Sequence, residues 1–184
     1  MFRSPHLALL VAAWSLSLLA MAAGPATAAV VTETVVYEHD GVTLEGYLAY
    51  DDAVTARVPG VLVVHQWMGL TDNERLRAEM LASLGYVAFA CDVYGQGVRP
   101  QDTEAASEQA GKYYGDRELF RARLRAGLAR LLAHPLVDPS RTAAIGYCFG
   151  GSAALELARD GADLTGVVSF HGSLDTPRPA QAGA

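Results

Sequence analysis

The chain has 184 residues, enough for one domain with a sizeable core, and 51% of them are hydrophobic. Its formal net charge is −6 and it has no basic cluster, which argues against nucleic acid as a partner. Two cysteines, Cys91 and Cys148, are too few for a disulfide scaffold, although in an oxidising compartment they could pair with each other.

Arg3 precedes an apolar run, Leu7 to Ala22, followed by Ala23-Gly24-Pro25-Ala26-Thr27-Ala28. A basic start, an apolar stretch and an Ala-x-Ala site are the parts of a signal peptide, so residues 1–28 are expected to direct export to the periplasm or outside the cell. The alternative is a retained membrane anchor. The run is shorter than the roughly 20 residues a spanning helix needs, so no stable anchor is expected. Removing Arg3 with the signal leaves 13 basic against 20 acidic residues, a mature charge of −7.

Val30 to Tyr37 and Val42 to Tyr50 alternate apolar with polar residues around His39-Asp40-Gly41, which predicts an antiparallel hairpin. Val58 to His65 is a continuous apolar run, the pattern of a strand buried on both faces. Thr71 to Leu84 has helical spacing, a Thr71/Glu74 capping box and an apolar side of Leu76, Met80, Leu81 and Leu84. Gly85 ends it, and the strand Tyr86 to Cys91 follows. Residues 95–102, with Gly, Pro and Asp, form an expected active-site loop. Arg117 to Ala133 is an Arg-rich amphipathic helix with Leu119, Phe120, Leu124, Leu128, Leu131 and Leu132 as its stripe. Arg141 to Gly146, Gly151 to Arg159 and Leu164 to Phe170 complete the order as strand, helix and strand. This alternation predicts an α/β domain with a doubly wound, mostly parallel sheet.

Gly146-Tyr147-Cys148-Phe149-Gly150-Gly151 falls between a predicted strand and a predicted helix. Small residues two positions either side of Cys148 fit a nucleophile elbow, where a sharp turn lifts the reactive side chain above the sheet. The turn also places the thiol at a helix N-terminus, which favours a thiolate. The Phe149 N–H is then the first candidate oxyanion donor. Val63-Val64-His65-Gln66-Trp67-Met68-Gly69-Leu70 ends the first core strand, and its loop supplies a second candidate, the Trp67 N–H. Gln66, Met68, Tyr94 and Gln96 are candidate pocket residues. His65 reads as a strand-end structural residue, with a catalytic role as the alternative. Arg99 could bind a substrate carboxylate or be a solvated surface group.

At these positions the sequence resembles the dienelactone hydrolase family. The landmarks are the His65-to-Leu70 loop, Cys91-Asp92-Val93-Tyr94-Gly95, the elbow around Cys148, and Ser169-Phe170-His171-Gly172-Ser173. The likeness runs from about Val35 to the end of the chain. It implies an α/β-hydrolase fold, a Cys–His–Asp triad, no metal or organic cofactor, and hydrolysis of a small-molecule ester or lactone through an acyl-enzyme. It implies no oligomeric state.

Two departures from the family pattern stand out. Where many members carry a glutamate in the first loop, this chain has Gln66, which can hydrogen-bond a thiol but cannot accept its proton. The triad Asp and His of the family would fall beyond Ala184. The domain, residues 29–184, is therefore expected to lack the C-terminal strands and to expose the edge of the Leu164-to-Phe170 strand. His171 follows that strand at a non-triad position, and Asp175 lies in the next loop. The alternative function is a truncated homologue without catalysis, a binding module or non-functional fragment.

Overall fold

The computed structural model describes residues 29–181, so the expected signal peptide lies outside the described residues. Val30–His39 (β1) and Val42–Asp51 (β2) form the expected hairpin, with His39 opposite Val42. Asp40 and Gly41 have φ of 50° and 70°, the two left-handed residues of a type I′ turn, whose twist matches that of paired strands.

Val58–Val64 (β3), Val87–Cys91 (β4), Val137–Tyr147 (β5) and Gly166–Phe170 (β6) complete one six-stranded sheet in the order β1-β2-β4-β3-β5-β6. β4, β3, β5 and β6 run parallel, while β2 joins β4 antiparallel and carries β1 at the edge. Every residue of β4 is buried, as are Gly60 to Val64 of β3, which accounts for their uninterrupted apolar sequence.

Helices cover both faces. Asp72–Ser83 (α1) packs Ala78 and Ala82 against the side carrying Val61, Val63, Ala88 and Ala90. Thr103–Gly115 (α2), Arg117–Leu132 (α3) and Phe149–Arg159 (α4) lie on the other side, over Leu62, Val64, Phe89 and Ala144. Arg121 of α3 is buried and paired with the buried Glu156 of α4 at 2.8 Å, tying these two helices together.

Three features differ from the expectations. α1 has its capping box, but of its expected apolar side Leu81 alone packs on the core, while Leu76, Met80 and Leu84 are exposed. Alanines at 78 and 82 let the helix sit close on the sheet and swing the larger side chains outward. There Met80 and Leu84 join Tyr147 and Phe170 along an open apolar groove of about 230 Å³. α2 follows the loop without having been predicted; Asp102 caps it, its side chain accepting the Ala105 N–H. β5 begins at Val137, four residues before the expected Arg141, because a bulge opposite Pro59 and Gly60 accommodates Pro139. As expected, β6 is an edge of the sheet among the described residues, and Val168 and Phe170 are half-exposed.

Candidate active site

Cys148 stands between β5 and α4 with φ 53° and ψ −112°, a left-handed conformation that a non-glycine residue adopts only under constraint. Its N–H donates to the Phe170 carbonyl at 2.9 Å and its carbonyl accepts the Ser152 N–H at 3.2 Å. The turn closes because its neighbours have no side chains. A Cβ on Gly146 would lie 2.0 Å from the Gly150 carbonyl oxygen, and one on Gly150 would lie 2.2 Å from that of Val64. On the far side of the first turn of α4, Gly172 packs so closely on Gly151 that a Cβ would meet its carbonyl carbon at 2.4 Å. The first turn of α4 is thereby wedged between the end of β3 and the segment after β6.

Phe149 points down from the elbow and is fully buried. Its ring stacks on Phe120 (4.8 Å) and His65 (5.7 Å) and meets Tyr94 at 5.3 Å. This anchors the first residue of α4, whose N–H belongs to the unpaired N-terminal set of a helix. Cys148 is half-buried above it.

The β3 loop is braced from three directions. His65 is fully buried, its Nε2 accepting the Val93 N–H at 3.2 Å and its Nδ1 lying 2.7 Å from the Gln66 carbonyl. Burial holds its imidazole below the ordinary histidine pKa, against the opposing pull of Asp92. Tyr94 donates its hydroxyl to the Trp67 carbonyl at 3.1 Å, and burial raises its phenol pKa. Arg99 donates through Nε to the Leu70 carbonyl at 2.5 Å and through Nη1 to that of Val98 at 2.8 Å. Arg99 is thus a clamp between two loops, not a group free to meet a substrate carboxylate.

The remaining expected residues fall unevenly. Trp67 and Met68 are half-buried on the β3 loop, whose start at Val64 and His65 abuts Gly150 of the elbow. Gln66 turns its Oε1 onto the Met68 N–H at 3.1 Å, so its amide is engaged within its own loop. Gln96 does not come to the site: it is exposed, donates to Glu45 of β2 at 3.0 Å, and lies three strands from β5. The pull comes from the loop base, where the Gln96 N–H donates to the Thr43 carbonyl. His171, with φ 47°, is exposed just after β6, and Asp175 is exposed further on. Among the described residues no hydrogen bond joins either to Cys148.

Cys91 and Cys148 are free thiols. Val64 of β3 pairs with Cys91 on one side and Gly146 on the other, so two strand spacings, about 9.5 Å, separate those positions. That exceeds the roughly 7 Å Cα separation a disulfide tolerates. The buried Cys91 instead packs under Gly127 of α3, and burial raises its thiol pKa.

Two supports were missed in the sequence. Asp92, fully buried, accepts the N–H groups of Tyr94, Gly95 and Glu45, tying the β4 loop to β2. Tyr113 of α2 donates its hydroxyl to the Val93 carbonyl at 2.8 Å and stacks on Tyr94. Its signal is present in hindsight: Ala106, Ala110 and Tyr113 recur at helical spacing behind the Asp102 cap.

A mostly parallel sheet with helices on both faces and a strained residue at a strand-to-helix turn defines an α/β-hydrolase fold. The sequence profile of the dienelactone hydrolase family matches residues 44–183, and the chain belongs to that family. Among solved structures it is similar to m3DLH, with 41% identity and a TM-score of 0.78 over 80% of this chain and 62% of that one. A dienelactone hydrolase-like promiscuous phosphotriesterase from metagenomic libraries gives 40% identity and a TM-score of 0.77, over 81% and 63% of the two chains. A protein of Synechocystis sp., named provisionally as a carboxymethylenebutenolidase, is 30% identical over 127 residues, 65% of this chain and 50% of its own. The chain spans about a third to three fifths of the length of the curated relatives it matches.

Proposed function

We propose that this chain performs thiol-dependent acyl transfer from a small-molecule ester or lactone, with Cys148 as the nucleophile. The observation that carries the reading is the strained conformation of Cys148 on a glycine-lined elbow at the N-terminus of α4. Strain of this kind persists only where the surroundings enforce it, and it aims the sulfur outward over the sheet edge.

Cys148 gives up its thiol proton to water as its sulfur adds to the substrate carbonyl carbon. The S–C bond forms while the carbonyl electron pair moves onto oxygen, which the Phe149 and Trp67 N–H groups receive. Collapse breaks the acyl C–O bond. The alkoxide leaves with a proton from water, or stays tethered as a hydroxyl if the substrate is a lactone. Water then cleaves the thioester and restores the thiol.

The last step needs a general base. His65 has both nitrogens engaged, and nothing among the described residues links His171 to Cys148. The described residues therefore equip the chain for acylation, with deacylation the slower half. The names of the relatives support an ester or lactone carbonyl as the target. Stopped-flow release of p-nitrophenol from p-nitrophenyl acetate tests the reading. A one-equivalent burst that vanishes in Cys148→Ala is expected; an unchanged burst in that variant would refute it. Export of the chain after cleavage at Ala28 is part of the proposal, and N-terminal sequencing of the exported product should begin at Ala29.

A further inference from the structure

His65 is a fully buried imidazole that the acyl-transfer chemistry above does not use. Its tautomer follows from its partners. The Val93 N–H is a donor, so the Nε2 it meets at 3.2 Å carries no proton. The single ring proton of the neutral imidazole then sits on Nδ1 and is donated to the Gln66 carbonyl at 2.7 Å. Stacking against Phe149 and an edge contact with Tyr94, at 4.7 Å, hold the ring plane.

The Gln66 carbonyl is one end of a planar peptide whose other end is the Trp67 N–H. With that peptide trans, the N–H points away from the carbonyl. Whatever fixes the direction of the Gln66 carbonyl therefore fixes the direction of the Trp67 N–H. The Gly69 N–H shares the carbonyl at 3.1 Å, but it belongs to the same short loop and moves with it. His65 ties the loop to something outside it: the β4 loop through Val93 and the α4 start through Phe149. The His65 carbonyl itself lies 2.6 Å from where a Gly150 Cβ would stand, so the preceding peptide, His65–Gln66, borders the first turn of α4.

We propose that His65 is a positioning residue that aims the Trp67 N–H at the oxyanion formed over Cys148. The proposal rests on the acyl-transfer reading of Cys148. As a base His65 is ill suited: taking a proton on Nε2 would drop the Val93 N–H.

Two reactions of Cys148 separate this role from a merely structural one. Acetylation by p-nitrophenyl acetate passes through an oxyanion, whereas alkylation by iodoacetamide does not. Both rates are measured by peptide mass spectrometry in wild type, His65→Gln and His65→Asn. Asparagine can place a donor where Nδ1 stood; glutamine reaches the Nε2 position and leaves the Gln66 carbonyl with no donor from outside the Gln66-to-Gly69 turn. Glutamine should slow acetylation by about 10- to 100-fold with alkylation within about twofold, and asparagine should restore most of it. Acetylation and alkylation falling together, or glutamine acetylating at the wild-type rate, would overturn the proposal. Cys91, buried in the native fold, reports unfolding by becoming alkylated. If glutamine exposes it, asparagine decides alone: a wild-type ratio of the two rates supports the role and a fallen ratio overturns it. Wild type that alkylates but never acetylates would instead overturn the acyl-transfer reading, and this proposal with it.

Discussion

Alanine should have opposite effects at two glycines, one in the elbow and one in α2. In Gly150→Ala the new methyl would stand 2.2 Å from the Val64 carbonyl oxygen and 2.6 Å from that of His65. Ordinary contact begins at 3.4 Å, so the start of α4 must retreat from β3 by about 1.2 Å. The obstacle is backbone in a buried strand, which cannot turn aside as a side chain could. Overpacking of this kind costs about 1–3 kcal/mol, and a displacement of about 1 Å at a reacting group costs about 100-fold in rate. Gly111→Ala is the control. It lies within α2 with nothing within 4 Å of the added Cβ, and alanine should stabilise the helix by about 0.5–1 kcal/mol. Urea unfolding gives the stabilities and p-nitrophenol burst kinetics give the acylation rates. A Gly150→Ala protein with wild-type stability and wild-type burst would refute the wedge argument.

Three further expectations follow from the structure. Burial works against ionisation of Glu156, but hydrogen bonds from Thr176, Arg121 and Arg159 outweigh it and lower its pKa below 4.5. Its contribution is complete above pH 4.5 and is lost as pH falls through the lowered native value, so the urea midpoint should drop in that acid range. Glu156→Gln should flatten that dependence while costing about 1.5–3 kcal/mol at pH 7, since the buried Arg121 then keeps only Asp160, at 3.7 Å, as a carboxylate partner. Thiol titration should count one reactive group in the native protein and two in denaturant without reductant; none before reductant would mean a Cys91–Cys148 disulfide. Val168→Lys, on the exposed β6 edge, should reduce concentration-dependent association measured by light scattering, and unchanged association would place the sticky surface elsewhere.

The core strands and the elbow could be read from the sequence because their causes are local. Val58 to Val64 and Val87 to Cys91 are apolar throughout since both faces are covered, and glycines at 146 and 150 are the only residues that fit. α1 was placed correctly and oriented wrongly, because its alanines at 78 and 82 carry the close packing while the larger residues carry the hydropathy signal. α2 was overlooked for a similar reason: its core face is two alanines and a tyrosine amid polar residues. Gln96 and Arg99 were drawn toward the site by their place in the chain, yet hydrogen bonds to Glu45 and to the Leu70 carbonyl hold them in the scaffold. The tautomer of His65 depends on Val93, 28 residues away, and no spacing rule reports it.

The central claim is that Cys148 is an acyl-accepting nucleophile. Its most direct test is intact-mass spectrometry, with peptide mapping, of the protein quenched in acid shortly after mixing with p-nitrophenyl acetate, beside Cys148→Ala. The account predicts a single added acetyl group that maps to Cys148, decays slowly, and is missing from the variant. An unmodified wild-type protein, or the same adduct in Cys148→Ala, would contradict it.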